Sequence, residues 1–325
     1  MSTITCKINA TRGSEETKIM HIVISGGTGL IGQALATDLL KDGHKVTILT
    51  RNIHRRPPLK GSALQQWDGR SPNGWGHLID TTDALVNLAG ENLAGNGLLP
   101  RRWTNEQKQR ILSSRLHAGT ALSQAIMAAD RLPRVLIQAS GIGYYGPLAN
   151  EVVSESSPPG HDFLAQLAVQ WEASTSDIEQ RGVRRAVIRT GAVLSAQGGA
   201  LPKLIMPYRF FVGGPLGSGR QYLSWIHIAD EIGAIRFLID NESATGAFNL
   251  VAPNPVSNAI FGKIVGRVLH RPSFFPTPNW VMKMLLGEVS ALVLDGQRAY
   301  PRRLQELGYT FKFPQPEAAL RDLLG

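Results

Sequence analysis

Short apolar runs alternate with amphipathic stretches through the first two thirds of the chain. The amphipathic stretches predict helices over Leu30–Lys41, from Thr104 to about Ala129 and over Asp162–Gln180. Continuous apolar strands that are separated by helices are typical of a parallel sheet covered on both faces, so we predict a doubly wound α/β fold. The apolar runs predict strands over His21–Ser25, Lys45–Thr50, Leu64–Trp67, Ala84–Leu88, Val135–Ala139 and Arg185–Arg189.

The last third is less regular. The segment 192–222 holds six glycines between Gly198 and Gly219 and three prolines, which predicts a loop-rich insertion with a short helix over Pro202–Tyr208. The pattern further along predicts helices over His227–Ile239, 257–270 and 278–294, a strand over Ala247–Val251, and a final helix over Arg298–Leu307 that Gly308 ends.

These patterns divide the chain into three parts. Residues 1–18 are polar and predict a disordered extension before the first strand. Residues 20–191 plus 223–251 form the predicted sheet domain, and residues 192–222 plus 252–325 form a smaller α/β lobe that caps the sheet. We expect a substrate to bind between the two.

A glycine-rich turn joins the first predicted strand to the first helix. Gly26, Gly29 and Gly32 form the pattern G-x-x-G-x-x-G, in which successive glycines allow a tight turn, the approach of a pyrophosphate and close packing of helix on sheet. The free N–H groups at the start of the helix, at Leu30 and Ile31, attract a phosphate, and the Thr28 hydroxyl is a further donor. We therefore predict a Rossmann-type dinucleotide site.

The end of the second strand indicates which dinucleotide binds. NAD sites usually carry an acidic residue there, which accepts a hydrogen bond from the ribose 2′-hydroxyl. This chain has Thr50-Arg51-Asn52 instead, and the guanidinium of Arg51 is suited to a 2′-phosphate. We predict NADP rather than NAD. The alternative is that Arg51 is merely solvated, as expected of the neighbouring Arg55 and Arg56.

Composition narrows the functional classes. Cys6 is the single cysteine among 325 residues, which excludes an intrachain disulfide and a cysteine-rich metal cluster, and indicates a cytoplasmic protein. No apolar run is long enough to span a bilayer. The net charge is +9, but no basic tract is interleaved with aromatic residues as in single-strand-binding proteins. We expect no metal, nucleic acid or membrane partner.

Several motifs together resemble the extended and atypical branch of the short-chain dehydrogenase/reductases, the NAD(P)-dependent epimerase/dehydratase superfamily. The resemblance implies that Asp68 lies near the adenine, that Leu88, Ala89 and Gly90 lie under the cofactor, that Arg189 contacts it and that Ser140 is catalytic. It also implies, by analogy, a homodimer. The matching motifs are S-G-G-T-G-L-I-G at 25–32, W-D-G at 67–69, V-N-L-A-G-E at 86–91, Ser140, R-T-G at 189–191 and W-I-H-I-A-D at 225–230.

A narrower resemblance is to the uncharacterised "epimerase family protein" group, which has its own C-terminal domain. It covers about residues 20–325. The motifs that carry it are R-W-T at 102–104, G-I-G-Y-Y-G at 141–146, S-W-I-H-I-A-D-E at 224–231 and R-R-L-Q-E-L-G-Y at 302–309.

The catalytic pair of the superfamily is missing. Relatives carry a tyrosine, and a lysine four residues later, on the helix after strand five, but alignment on Glu172 places Leu164 and Ala168 there. Tyr144 or Tyr145, just beyond Ser140, is our candidate for the missing phenol, and the alternative is that both are structural. Glu91 is a second candidate acid or base.

The substrate clamp of nucleotide-sugar enzymes is missing as well. The arginine expected four residues before His227 is replaced by Leu223, and Arg220 is displaced, so we do not expect a nucleotide-sugar substrate. His227 and Asp230 are interpreted as the start of a helix rather than as catalytic groups. Two hypotheses follow: an NADP(H)-dependent oxidoreductase or epimerase that acts on an unknown small molecule, and a non-catalytic NADP(H)-binding regulatory or redox-sensing protein.

Overall fold

A computed structural model of the chain describes residues 19–54, 57–95 and 102–325. The predicted extension at 1–18, and Arg55 and Arg56, lie outside the described residues. The described residues form strands β1 His21–Ser25, β2 Lys45–Thr50, β3 Ala63–Gln66, β4 Ala84–Asn87, β5 Val135–Gly141, β6 Val152–Val153, β7 Arg184–Thr190, β8 Ala192–Ser195, β9 Gly198–Gly199, β10 Tyr222–Leu223, β11 Trp225–His227, β12 Gly246–Leu250, β13 Val256–Ser257 and β14 Arg298–Ala299.

Ten α-helices lie in the same described ranges, and none of them is long and apolar enough to cross a membrane. Short 3₁₀ segments cover Gly76–Thr81, Ile142–Tyr145, Ser176–Arg181 and Gly287–Ser290. The α-helices are α1 Leu30–Lys41, α2 Asn105–Ala128, α3 Phe163–Ala173, α4 Leu201–Arg209, α5 Ile228–Asp240, α6 Asn258–Leu269, α7 Asn279–Leu286, α8 Ala291–Leu294, α9 Arg302–Glu306 and α10 Pro316–Leu324.

Seven strands form one parallel sheet in the order β12-β7-β5-β4-β1-β2-β3. Apolar side chains cover both faces: Leu35 of α1 and Ile235 of α5 lie in the core on one side, and Leu122 of α2 lies in the core on the other. Full burial of a side chain of this size stabilises the fold by roughly 1.5–3 kcal/mol. The prediction of a doubly wound, Rossmann-type fold is confirmed.

The sheet topology places a crevice beside β1. From β1 the chain runs to β2 and β3 on one side, and then crosses to β4 and β5 on the other. In open α/β sheets, ligands bind at the carboxyl ends of the strands where the order reverses in this way. The turn after β1 and the segment after β4 therefore face each other at the expected binding position.

The smaller lobe has an apolar core of its own. Leu201 and Ile205 of α4 pack with Phe261 of α6 and Leu320 of α10, against Trp225 of β11. Strand β11 pairs in parallel with β8, and β9 pairs with β8 in the antiparallel sense. The exact division into two domains stays a prediction.

Two predicted helices are interrupted. The helix expected over Asp162–Gln180 ends as α3 at Ala173, and the chain continues as a 3₁₀ segment. The helix ends here because the Ser174 hydroxyl donates to Trp171 O at 2.7 Å and the Thr175 side chain is buried. The helix expected over 278–294 breaks at Gly287, where φ is +61°.

The prediction of a final helix over Arg298–Leu307 is confirmed only in its second half, as α9 over Arg302–Glu306. Arg298 and Ala299 form β14, which pairs with β6, and the helix begins only at Arg302. Pro301 explains the break, because a proline disfavours helical geometry in the residue before it. The last helix is α10, which the sequence prediction missed.

Candidate functional site

The turn after β1 has the geometry that its glycines predict. Gly26 has φ +71°, and a Cβ placed there would lie 2.5 Å from Leu88 O. A Cβ on Gly32 would lie 2.5 Å from Gly26 O. At Gly29 an added Cβ would meet only Gly26 O, at 3.3 Å, so the space in front of Gly29 is open. The turn thus presents bare backbone to a cleft.

Helix α1 begins behind this turn with unsatisfied donors. No side chain caps its N-terminus and no acidic residue lies in its first turn. The N–H groups of Leu30 and Ile31 have no carbonyl partner within the helix, and the positive end of the helix dipole coincides with them. Their side chains point elsewhere: Leu30 lies close to Gly199, and Ile31 packs against the core. An anion would bind their main chain.

A cleft of about 760 Å³ opens at this turn. Its walls include Thr28 and Gly29 from the turn, Leu88–Glu91 after β4, and a face of α2 that sequence reasoning missed. Arg110, Ser114 and His117 lie on that face, spaced three to four residues apart. The volume and the bare backbone are suited to an elongated phosphate-bearing ligand.

Arg51 and Asp68 line the same cleft. Arg51 is exposed and has no carboxylate partner among the described residues, and its side-chain stem runs past Gly69, where an added Cβ would lie 3.7 Å from Arg51 Cδ. The Asp68 carboxylate accepts from the N–H groups of Arg70 and Ser71, at 2.7 and 2.8 Å. These hydrogen bonds hold the pKa of Asp68 below its usual value. The walls of the cleft therefore include a guanidinium without a carboxylate partner among the described residues and, at Asp68, a carboxylate held by backbone N–H groups.

Arg115 of α2 contacts the segment after β4 from the protein interior. The sequence analysis did not identify this residue. Its guanidinium is buried, donates from Nη1 to Glu91 O at 3.0 Å, and lies 4.7 Å from the Trp171 ring. A Cβ on Gly90 would lie 3.0 Å from Arg115 Cζ. Burial lowers the pKa of Arg115 to about 10, although the negative charge of Glu91 acts to raise it. Its position on the buried stripe of α2, four residues after Ile111, was a usable signal.

The Glu91 side chain accepts a hydrogen bond from Gln107 Nε2 at 3.0 Å, and its backbone N–H donates to Ser114 Oγ at 3.0 Å. These contacts fix the segment after β4 against α2. Glu91 remains a candidate acid or base by its position in the cleft wall.

The predicted catalytic residues meet at a second cluster, at the carboxyl end of β5. Ser140 Oγ donates to Glu172 Oε1 at 2.7 Å. The guanidinium of Arg189 binds both oxygens of Glu172, from Nε at 2.8 Å and Nη2 at 2.9 Å. Arg189 was expected to contact the cofactor, but the structure directs its guanidinium into this buried ion pair. Ser140, Tyr144, Tyr145 and Arg189 are absent from the lining of the glycine-turn cleft.

The two tyrosines of this cluster differ in environment. Tyr145 is 2% exposed, and its hydroxyl donates to Asn249 Oδ1 at 2.7 Å and accepts from Arg189 Nη1 at 3.2 Å. Burial raises the pKa of Tyr145 to about 12, despite the neighbouring Arg189. Tyr144 is half-buried, and its ring centroid lies 3.4 Å from Arg189 Cζ. Tyr144 is thus the more accessible phenol.

Apolar packing occupies the position of the missing catalytic pair. Leu164 touches Gly143, where an added Cβ would lie 3.1 Å from Leu164 Cβ, and it belongs to a cluster with Trp103 and Val289. Ala168 is buried. Neither position brings an ionisable side chain toward Ser140.

His227 and Asp230 act as the sequence interpretation expects, at the start of α5. His227 Nδ1 accepts from Ala229 N at 3.0 Å and caps the helix. Asp230 is buried and accepts from the N–H groups of Lys312 and Phe313, at 2.7 and 2.8 Å, so it ties the C-terminal segment to the sheet domain. Both contacts are structural.

The comparisons with known proteins agree on a family. Residues 22–250 match the model of the NAD dependent epimerase/dehydratase family, and residues 277–323 match a domain of unknown function, DUF1731. The Epimerase family protein YfhF of Bacillus subtilis is 39% identical over 308 residues, which cover 94% of this chain and 98% of that protein.

Solved structures give the same picture. The chain is similar to the human epimerase family protein SDR39U1, crystallised with NADPH, with a TM-score of 0.81 and 35% identity over 94% of this chain and 99% of the human one. It also resembles UDP-N-acetylglucosamine 4-epimerase from Bacillus cereus, with a TM-score of 0.73 and 13% identity over 94% of this chain and 95% of that one. At that identity only the fold is shared.

Proposed function

We propose that this chain, which belongs to the NAD dependent epimerase/dehydratase family, binds NADP(H) at the glycine turn and carries out redox chemistry on a small molecule. The family membership confirms the resemblance drawn from the sequence motifs. The single cysteine supports a cytoplasmic setting.

The observation that carries the proposal is the open backbone at Gly29 in front of α1. A Cβ at Gly26 or Gly32 is excluded by the protein itself, whereas the space at Gly29 is left free by the described residues. The pyrophosphate would bind the N–H groups of Leu30 and Ile31. Arg51, without a carboxylate partner in the described ranges, would bind the 2′-phosphate. The NADPH bound by the human relative supports this choice.

We expect the protein to bind NADPH more tightly than NADH, and Arg51→Ala to remove most of that preference. A charge-assisted contact from a guanidinium to a phosphate contributes roughly 1.5–3 kcal/mol, which corresponds to about 10- to 150-fold in affinity. Titration of reduced-cofactor fluorescence measures both affinities.

Arg110→Ala is the matched control, because Arg110 lies on the opposite wall, on α2. It should leave the ratio of NADPH to NADH affinity unchanged. Equal affinities in the unmodified protein, or a ratio that Arg51→Ala does not alter, would contradict the assignment.

The proposed chemistry joins the cleft to the Ser140 cluster. The bound cofactor supplies hydride transfer. Because Ser140 donates its one O–H to Glu172, its oxygen would accept from the hydroxyl of the substrate and so orient it. The Tyr144 phenol gives or takes the proton. The Arg189 guanidinium, 3.4 Å from the Tyr144 ring centroid, replaces the missing lysine as the neighbouring cation. Tyr145 is a weaker candidate for this proton transfer than Tyr144, since its buried hydroxyl already donates a hydrogen bond to Asn249.

A second function is supported by Leu164 and Ala168. Because apolar side chains occupy the positions of the catalytic pair, a protein that binds NADP(H) without turnover, as a regulator or redox sensor, is the alternative.

Tyr144→Phe should lower the turnover number for any substrate found in a screen of small carbonyl and hydroxyl compounds by roughly 100-fold, the low end for lost acid–base catalysis. NADPH affinity should not change. Steady-state assays with Ser140→Ala and Tyr145→Phe beside it separate the roles, since Tyr145→Phe should act mainly on stability. Full activity in both Tyr144→Phe and Ser140→Ala would refute the assignment, and a screen without turnover favours the non-catalytic alternative.

A further inference from the structure

An exposed aromatic surface lies on the smaller lobe, and none of its residues lines the cleft at the glycine turn. We call it the aromatic patch: Phe210 and Phe211 after α4, Phe274 and Phe275 after α6, and Trp280 on α7. Their exposed fractions are 71, 55, 69, 46 and 67%. Single exposed apolar side chains are ordinary, but a group of aromatic residues exposed to this degree marks an interaction surface.

The two loops that carry the four phenylalanines lie together. The N–H of Phe275 donates to Gly213 O at 3.1 Å, which joins the turn after α4 to the loop after α6. The rings of Phe274 and Phe275 lie 4.5 Å apart. Arg271 Cζ lies 4.4 Å from the Phe211 ring, which places a cation at the edge of the patch.

Helix α7 continues the patch. It is rich in apolar side chains, yet none of its residues is buried. Met284 and Leu285 are 59 and 60% exposed, and Lys283 lies beside them. Val281, Met282 and Leu286 are half-buried, so the described part of the chain covers the apolar side chains of this helix only in part. Exposed apolar side chains on a surface helix are suited to burial at a membrane interface.

A basic cavity borders the patch. It has a volume of about 420 Å³, and its lining includes Lys263, Arg267, His270, Arg271 and Arg321. The carboxylate paired with these cations is Glu317, which binds Arg267 and Arg321. Lys263 and Arg271 have no carboxylate partner among the described residues. Positive charge therefore surrounds the aromatic side chains on this side.

We propose that the aromatic patch and the basic cavity dock the protein on anionic phospholipid membranes. The aromatic side chains would enter the interface while the cations of the cavity bind phosphate headgroups. Charge complementarity favours a lipid surface over a second copy of the chain, since two copies would bring like charges together, and the net charge of +9 draws the whole protein to an anionic bilayer. This departs from the sequence prediction of no membrane partner, which considered only spanning segments. It does not depend on the proposed function.

Co-sedimentation of the full chain with vesicles tests the proposal. We expect binding to vesicles of phosphatidylcholine with phosphatidylglycerol, and about tenfold weaker binding to phosphatidylcholine alone. Phe210→Ser/Phe274→Ser and Lys263→Glu/Arg271→Glu should each weaken binding to the anionic vesicles about tenfold. Binding should also fall as salt concentration rises.

The matched controls are exposed residues outside the lobe. Lys41→Glu/Lys60→Glu makes the same change in net charge, and Met127→Ser/Val169→Ser removes two exposed apolar side chains on α2 and α3. Both should bind vesicles nearly as well as the unmodified protein, and circular dichroism and NADPH titration verify that each variant is folded. Equal losses in patch and control variants would overturn the proposal. So would a lack of preference for anionic lipid, or patch variants that change only the oligomeric state in sedimentation velocity.

Discussion

Replacing Gly29 by alanine should abolish NADPH binding and leave the fold intact. Gly29 has φ −82° and ψ 176°, a conformation that any residue adopts, and the added Cβ would meet only Gly26 O, at 3.3 Å. The methyl group would instead stand in the cleft in front of α1, where it displaces the pyrophosphate from two N–H donors. At roughly 1.5–3 kcal/mol for each charge-assisted hydrogen bond, the loss in affinity is about a thousandfold. Fluorescence titration measures it, and urea unfolding checks the fold.

Gly26→Ala is the comparison that separates binding from folding. Its Cβ would collide with Leu88 O at 2.5 Å, and the backbone has φ +71°. An alanine in this left-handed region costs about 1–2 kcal/mol before the collision is counted, so this variant should be destabilised as well as unable to bind. If Gly29→Ala binds NADPH normally, or loses stability as Gly26→Ala does, the pyrophosphate does not lie at this turn.

Local signals explain why the sheet and the turn could be predicted from the sequence. Buried parallel strands contain short apolar runs, such as Ala84, Leu85 and Val86 in β4. The side chain of Thr104 caps α2 by accepting from Gln107 N, as its position suggests. The glycine turn was identifiable because each glycine is needed to avoid a nearby clash. A Cβ at Gly32 would meet Gly26 O within the same turn, and a Cβ at Gly26 would meet Leu88 O at the end of the adjacent strand. Periodicity and turn chemistry are short-range properties, and they determine this half of the structure.

The hydrogen-bond partners of Ser140 and Tyr145 could not be predicted, because they are far away in the sequence. Ser140 meets Glu172 across 32 residues, and Tyr145 meets Asn249 across 104. The sequence therefore gave no reason to choose Tyr144 over Tyr145. Only the tertiary contact with Asn249 shows that Tyr145 is buried and that its hydroxyl is already engaged.

Long-range packing also explains the lost catalytic pair. The cluster that holds Leu164 includes Val289, a residue of the C-terminal domain, and Trp103 before α2. Leu164, at the position where the family resemblance implies a tyrosine, is consequently part of the contact between the sheet domain and the C-terminal segment. Restoring a tyrosine at 164 alone would place a polar hydroxyl among apolar side chains, so the polar cluster around Arg189 is the better place to look for chemistry.

Arg189→Met should lower the free energy of unfolding by roughly 3–5 kcal/mol, the cost of breaking a buried ion pair. The side chains of Arg189 and Glu172 are 6 and 15% exposed, so neither charge can be solvated when its partner is removed. Glu172 would keep the hydrogen bond from Ser140, but it would lose the guanidinium that binds both of its oxygens. Urea denaturation at neutral pH, followed by circular dichroism, measures the change.

The double variant Arg189→Met/Glu172→Met decides whether the pair itself is responsible. Once both charges are gone, no uncompensated ion remains in the interior, so the double variant should be destabilised by less than the sum of the two single variants. Arg134→Met is the surface control, since Arg134 and its partner Glu242 are 42 and 84% exposed, and its unfolding midpoint should match that of the unmodified protein. Additive losses in the double variant would mean that Arg189 and Glu172 stabilise the fold independently, which contradicts a stabilising ion pair.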